Sequence, residues 1–265
     1  MNRFKIRDIG RSFAILGLLL FSVSGAHAAH PLITDDAGTV GKGGVQIEIN
    51  AEIAYDKENL DDSATEKREA AGVAITLTYG IAETLDVAVT APYRWLSAHQ
   101  NDELIAREKG ISDISLDLKW RFFQKDGWGL ALKPGITLPA GNEEKGLGNG
   151  RVTGRLFFIT SREIEPWGFH LNLGYIRNEN KGEDRSDLWH ASAAAQVELF
   201  KDLKAVANFG IETNPASGSS THPAFALGGL IYDLSEKISL DAGVKFGLTK
   251  TEADISYLAG VTIKF

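Results

Sequence analysis

From Val45 onward the chain alternates apolar and polar residues with a period of two, the pattern of β-strands whose faces meet unlike surroundings. The first clear run sets Val45, Ile47, Ile49, Ala51, Ile53 and Tyr55 against Gln46, Glu48, Asn50 and Glu52. Further runs begin at Ala71, Leu85, Ile114, Leu130, Val152, Trp167, Trp189, Leu203, Phe225, Ile238 and Tyr257, which predicts about twelve strands, an even number. The apolar stripes cover about sixty positions and contain no Asp, Glu, Lys or Arg. Lipid contact supplies a reason, because a charge at mid-bilayer on the outer face of a barrel costs about 2–4 kcal/mol. Pro92 and Pro134 fall inside strands and neither can donate to a ladder, so a bulge or a local break is expected at each.

The connections alternate in length. Long ones are expected at Asp56 to Arg68, Ser97 to Gly110, Pro139 to Gly150, Asn178 to Asp187 and Asn214 to His222. Short ones fall near Gly80 to Thr84, Phe123 to Gly127, Ser161 to Pro166, Phe200 to Asp202 and Asp233 to Lys237, with Thr249 to Asp254 intermediate. A soluble sandwich has no reason to put every long loop at one end, whereas an outer-membrane barrel turns long loops outside and short turns to the periplasm. With the first strand running outward, Tyr55, Tyr93, Trp95, Tyr175, Trp189 and Tyr257 fall at the outer rim. Tyr79, Trp120, Phe122, Trp128, Trp167 and Phe265 fall at the inner one, which makes two aromatic girdles. The predicted fold is an all-β, transmembrane, antiparallel up-and-down β-barrel of about 12 strands over residues 45–265.

The 265 residues carry 28 basic and 35 acidic side chains, and the acidic balance argues against a nucleic-acid partner. The absence of Cys excludes disulfides, thiolate zinc sites, cysteine nucleophiles and a lipid-carrying Cys. Arg3, Lys5, Arg7 and Arg11 precede an apolar core from Phe13 to Val23 and the small-x-small site Ala26-His27-Ala28. This predicts a cleaved signal peptide over residues 1–28 and a mature chain exported to the outer membrane of a Gram-negative cell. The apolar core, about 11 residues, is too short for a membrane helix, which needs about 20.

By parity the lumen would be lined by Arg94, Asp117, Lys119, Arg121, Lys133, Arg155, His170, His190, Glu198 and Lys245, and with Glu48, Glu52, Asp86, Lys204, Glu212, Asp241 and Lys264 added the inward charges nearly balance. Phe157, Ile159, Val206, Leu230 and Leu258 would add apolar patches to it. Two readings stay open: a passage for small, neutral or weakly polar solutes, and a narrow lumen filled by its own paired charges. Residues 29–44 precede the first strand on the periplasmic side. They form either a flexible tail or a plug in which Asp35 and Asp36 meet interior Lys or Arg.

Other motifs add no chemistry. Gly146, Gly148 and Gly150 lack the strand–loop–helix setting and the Lys-Ser/Thr of a phosphate loop, so they read as a loop apex. Asp56 to Asp62 is carboxylate-rich without calcium-loop spacing, and reads as an outer loop able to share divalent cations with lipopolysaccharide. A barrel phospholipase would need Ser and His together near the membrane interface of the outer wall. His170 and His190 fall inward and His99 and His222 fall in loops, so the chain reads as a non-enzyme with no metal site and no cofactor.

Several stretches resemble a bacterial outer-membrane family known from phenol (meta-pathway) degradation clusters and described as transporters. They are HPLITDDAGTVGKGGVQIE at His30 to Glu48, YGIAETLDVAVTAPY at Tyr79 to Tyr93, GISDISLDLKWRF at Gly110 to Phe122 and PGITLPAGNEEKGLGNGR at Pro134 to Arg151. The resemblance implies an outer-membrane barrel passing small solutes, aromatic or other hydrophobic compounds among them, and brings no set of functional residues. The terminal Phe265 resembles the signal read by the barrel-assembly machinery. The expected function is an outer-membrane channel or transporter for small solutes, and the alternative is a closed-lumen structural or surface-interaction barrel. Membrane lipid, lipopolysaccharide and a small-molecule solute are the remaining expected partners.

Overall fold

The structure is a computed structural model that describes residues 30–61 and 64–265. The expected signal peptide lies outside the described residues. Thirteen strands follow in order: β1 (Val45–Asp61), β2 (Ala64–Ala82), β3 (Leu85–Gln100), β4 (Glu103–Ile111), β5 (Ile114–Lys125), β6 (Trp128–Leu138) and β7 (Thr153–Ile164). Then come β8 (Trp167–Arg177), β9 (Asp187–Phe200), β10 (Leu203–Glu212), β11 (Ala224–Ser235), β12 (Ile238–Gly247) and β13 (Ile255–Lys264). Every neighbouring pair is antiparallel. β1 pairs with both β2 and β13, and β2 with β3, so twelve strands close into a barrel while β4 hangs outside it on β3. Closure leaves the wall without an edge, as a spanning sheet requires when lipid offers backbone groups no partner.

Both prolines sit where a ladder changes. β3 pairs with β5 through Leu85–Thr90 and with β4 from Tyr93 onward, so Pro92 stands at the exchange of partners, where no N–H is demanded of it. Its carbonyl accepts from Ser112 N at 2.9 Å. The β5–β6 ladder runs from Ile114 to Asp117 and resumes at Trp120, and the interval falls beside Pro134.

The two faces separate as the period of two demands. Ile75, Leu77, Val89, Leu116, Leu118, Leu171 and Leu173 are exposed on the outside, alternating with buried Ala74, Thr76, Ala88, Thr90, Ser115, Asp117, His170 and Asn172. Rings pair along both rims: Tyr93 with Trp95 at 4.7 Å and Tyr175 with Trp189 at 5.0 Å on one, Trp120 with Phe122 at 5.7 Å on the other. Amphipathic rings of this kind belong where hydrocarbon meets water.

Three expectations change. The long loops expected at Asp56–Arg68 and Ser97–Gly110 are instead the tips of two tall hairpins, β1–β2 and β3–β4, the second adding the extra-barrel strand. Above the bilayer both strand faces are wet, so the apolar stripe that marks a strand disappears while the ladder continues. Leu230, expected inward, is 49% exposed, and Phe225, Leu227 and Ile231 face the lumen in its place. β11 has bulky apolar residues on both parities around Gly228 and Gly229, so its pattern carries no sign of which face is which.

Candidate functional site

The wall directs a belt of buried polar groups inward. Arg94, Asp117, Lys119, Lys133, His170, His190 and Lys245 are all buried there, and the Arg155 guanidinium bonds Asp117 through Nε at 2.9 Å and Nη2 at 2.6 Å. Two lining candidates lie elsewhere. Glu198 is exposed, two residues from the end of β9, where the wall meets water on both faces. Arg121 is half-exposed at the short-turn rim, where its Nη2 donates to Glu83 O at 2.9 Å.

The segment from His30 to Gly44 lies inside the barrel as a hoop against the wall. From β1 it passes β2 and β3, where Gly43 N donates to Gly80 O at 2.9 Å and Val40 N to Asp86 Oδ2 at 3.0 Å. Ala37 N then donates to Ser161 Oγ at 2.8 Å, and Asp35 N to Asn172 Oδ1 at 2.7 Å, with Asn172 Nδ2 donating back to Asp35 O. Farther round, Ile33 N and Thr34 N share Asn208 Oδ1 at 2.7 and 3.0 Å, and His30 reaches Asp241. A buried strap must satisfy its backbone groups, and inward Ser and Asn side chains do this here.

Charge fixes the middle of the hoop. Asp35, 2% exposed, holds Lys119 Nζ at 2.8 Å and Lys133 Nζ at 3.1 Å, and Asp36 adds a longer contact to Lys119 at 3.7 Å. The sequence offered Asp35 and Asp36 for a contact with interior Lys or Arg without saying which, and Lys119 and Lys133 only as lining residues. Apolar side chains of the same segment cover apolar patches of the wall: Leu32 on Ala194, Val206 and Ile231, Ile33 beside Phe225, Leu227 and Leu258, and Ala37 on Ala131, Phe157 and Ile159.

Inward glycines make room for it. A Cβ at Gly229 or Gly243 would stand 2.6–2.8 Å from Pro31, one at Gly129 would stand 3.0 Å from Ala37, and one at Gly80 would collide with the Gly41 carbonyl. The hoop therefore rides on bare backbone from four strands, a feature the sequence reading missed. Its only trace there is glycine at inward parity.

The opposite mouth is narrowed by loops. Residues 139–152, between β6 and β7, fold in so that Leu147, 2% exposed, joins Ala54, Ala70, Leu96, Ala98 and Ala253. Asp113 holds this loop, accepting from Gly141 N at 2.9 Å and Asn149 N at 2.8 Å, and Ser112 Oγ donates to Leu147 O at 2.6 Å. Burial pushes the Asp113 carboxyl up, against the pull of those two N–H groups. Gly146, Gly148 and Gly150 lie in the inward-folded part of this loop, and Gly146 and Gly150 take positive φ. The β12–β13 loop closes over in a similar way. Lys245 Nζ lies 3.2 Å from Glu52 and 3.1 Å from Glu252, whose carboxyl burial pushes up.

Two Ser–His contacts appear on the inward face: Ser161 Oγ to His170 Nδ1 at 2.8 Å, and Ser192 Oγ to His190 Nε2 at 2.9 Å, with Glu212 3.4 Å from His190 Nδ1. The second has the order of a hydrolytic triad. Ser192 is buried, however, and its neighbouring backbone N–H groups are committed to the β8–β9 and β9–β10 ladders, so the constellation offers no oxyanion hole. We read both as polar wall packing.

The family model described as "Putative MetA-pathway of phenol degradation" matches residues 31–265. The chain belongs to this family. The match begins within the hoop, so this phenol-degradation family includes the segment and the barrel together. Among solved structures, a COG4313 outer membrane channel from Pseudomonas putida F1 is similar at a TM-score of 0.67 and 12% identity, over 87% of this chain and 98% of that one. The NanC porin is similar at 0.55 and 11%, over 83% and 100%. The translocator domain of the autotransporter NalP from Neisseria meningitidis is similar at 0.52 and 14%, over 85% and 89%. No curated protein matches the sequence. At these identities the likeness shows the fold, that of outer-membrane barrels. A channel, a porin and a translocator share it, so the lumen's own side chains must decide what passes.

Proposed function

We propose that this phenol-degradation family member is an outer-membrane channel for small solutes, with residues 30–44 as a plug on the periplasmic side. The observation that carries this reading is the pairing of Lys119 and Lys133. The carboxylates in contact with these buried wall cations, Asp35 and Asp36, come from the segment that precedes the first strand, while the wall carboxylates Asp86 and Glu48 act on them from beside it. A barrel filled for stability alone would pair its charges across the wall, as Arg155 and Asp117 do. The family's tie to phenol degradation supports aromatic or other hydrophobic cargo, and the apolar patches under Leu32, Ile33 and Ala37 would suit it.

The outward apolar belt fits the outer membrane, reached after removal of residues 1–28. Phe265 N donates to Val45 O at 2.9 Å beside the closing β13–β1 pair, consistent with a terminal strand delivered by the barrel-assembly machinery. On the tall β1–β2 hairpin, Asp56, Glu58 and Glu66 surround Arg68 at 2.7–3.5 Å, a mixed cluster at the level of lipopolysaccharide headgroups.

Neutral aromatics cross lipid unaided, so the test uses polar solutes: a pentose, a nucleoside and benzoate at neutral pH, supplied to liposomes bearing the full chain. Entry faster than into protein-free vesicles is the expected result. Equal rates for all three would favour the second reading, a closed surface barrel, which the inward-folded Leu147 loop supports.

A further inference from the structure

The contact between Asp35 and the two lysines has the form of ligand recognition. One carboxylate oxygen goes to each ammonium, 2.8 Å to Lys119 on β5 and 3.1 Å to Lys133 on β6. The three side chains are 2–5% exposed. Among the described residues, the carboxylates within 4 Å of either lysine are Asp35 and Asp36, both from the hoop. Asp35 is the carboxylate that touches both ammonium groups, with Asp36, Asp86 and Glu48 acting on them less directly, so its departure leaves the pair short of its bridging anion and another anion of the same shape is drawn into that place.

The neighbouring surface states what that anion should carry. Lys133 lies opposite Phe157 in the β6–β7 register, and Ala131, two residues along the same face, lies opposite Ile159. Ala131, Phe157 and Ile159 form one apolar cluster, and Ala37 of the hoop covers it. Asp35 and Ala37 thus place a carboxylate and a small apolar group two residues apart, a span of about 7 Å in extended chain. A single aromatic ring bearing a carboxylate has the same length and the same order of groups.

We propose that Lys119 and Lys133 form a binding site for a small aromatic monocarboxylate, with Ala131, Phe157 and Ile159 receiving the ring and Asp35 occupying the site at rest. The hoop is then a competitor built into the chain, and an arriving aromatic acid displaces its centre. This rests on the channel reading. It deepens that reading by naming a cargo class and by coupling cargo to plug release.

The test is equilibrium binding by calorimetry on the full chain in detergent, with benzoate as the probe. Asp35→Asn removes the competing charge, and a protein lacking residues 30–39 removes the competitor altogether. Both are expected to bind benzoate at least tenfold more tightly than the unaltered chain. Adding Lys133→Met to Asp35→Asn should abolish that gain. Acetate, which has the charge and no ring, should bind the Asp35→Asn protein at least tenfold more weakly than benzoate. Benzyl alcohol, which has the ring and no charge, should bind the unaltered and Asp35→Asn proteins alike. Benzoate binding no tighter in either competitor-free protein would overturn the proposal, as would benzyl alcohol gaining in parallel with benzoate or acetate matching it. Because the readout is binding, a barrel silent in liposome uptake could still pass this test, and a conducting one could fail it.

Discussion

A protein lacking residues 30–39 should show a single-channel conductance several-fold above that of the full chain, together with a shift toward anion selectivity. The segment runs along the inside of the wall from β2 and β3 round to β12 and β13, so removing it widens the lumen over most of its circumference. It takes the Asp35 and Asp36 carboxylates away from Lys119 and Lys133, which makes the passage more positive. The barrel itself should persist, because its ladders run between strands and residues 40–44 keep the bonds that seat Gly43 and Gly80. Planar-bilayer recording with a salt gradient reads both quantities. Unchanged conductance would mean either that the hoop never limits flow or that the Leu147 loop is the controlling restriction.

The largest stability effect should come from Asp117→Asn. Asp117 and Arg155 make a two-point charged contact with side chains 1% and 9% exposed, the strongest geometry in the lumen. Removing one partner of a buried pair leaves an uncompensated ion, which costs about 3–5 kcal/mol. Lys67 and Asp102 are nominally as close, at 2.6 Å, but are 50% and 80% exposed at the hairpin tips. Asp102→Asn should therefore cost far less, since solvent screens an exposed pair. Urea unfolding of the two variants in lipid vesicles makes the comparison. Equal losses would show that the Arg155–Asp117 pair is hydrated and the lumen is wetter at that level than the packing indicates.

Much of this architecture was legible in the residues because a lipid-spanning wall permits no ambiguity of parity where one face must be apolar. The inward placement of Lys119, Lys133, Arg155, His170 and His190 follows from that constraint alone. It weakens where the constraint ends. Glu198 keeps inward parity yet lies at a rim where both faces are wet. Residues 57–67 and 97–110 form ladders above the bilayer with no stripe to announce them. In β11, Gly228 and Gly229 between bulky apolar residues leave the direction of Leu230 undetermined by pattern. The charges of Asp35 and Asp36 hinted at the hoop, but its seat was not readable, because glycine at an inward position records an absence of side chain. What fills that absence, Pro31 over Gly229 and Gly243 or Ala37 over Gly129, appears only once the strands are assembled. Leu147 looked like part of a polar loop, and its burial depends on alanines from four separate strands and loops.

The absence of Cys makes one measurement especially direct. Single cysteines placed in turn at residues 169–174 of β8 can carry a spin label, and accessibility to oxygen and to a water-soluble nickel complex can be read at each position in lipid vesicles. A barrel with lipid outside and the hoop against its inner wall predicts strong oxygen contact at 169, 171 and 173. Positions 170, 172 and 174 should be shielded from oxygen, and 172, which touches Asp35, should also be shielded from nickel. Nickel contact at both parities, or oxygen contact with no alternation, would mean that this strand has no lipid-facing side and that the barrel does not span the membrane.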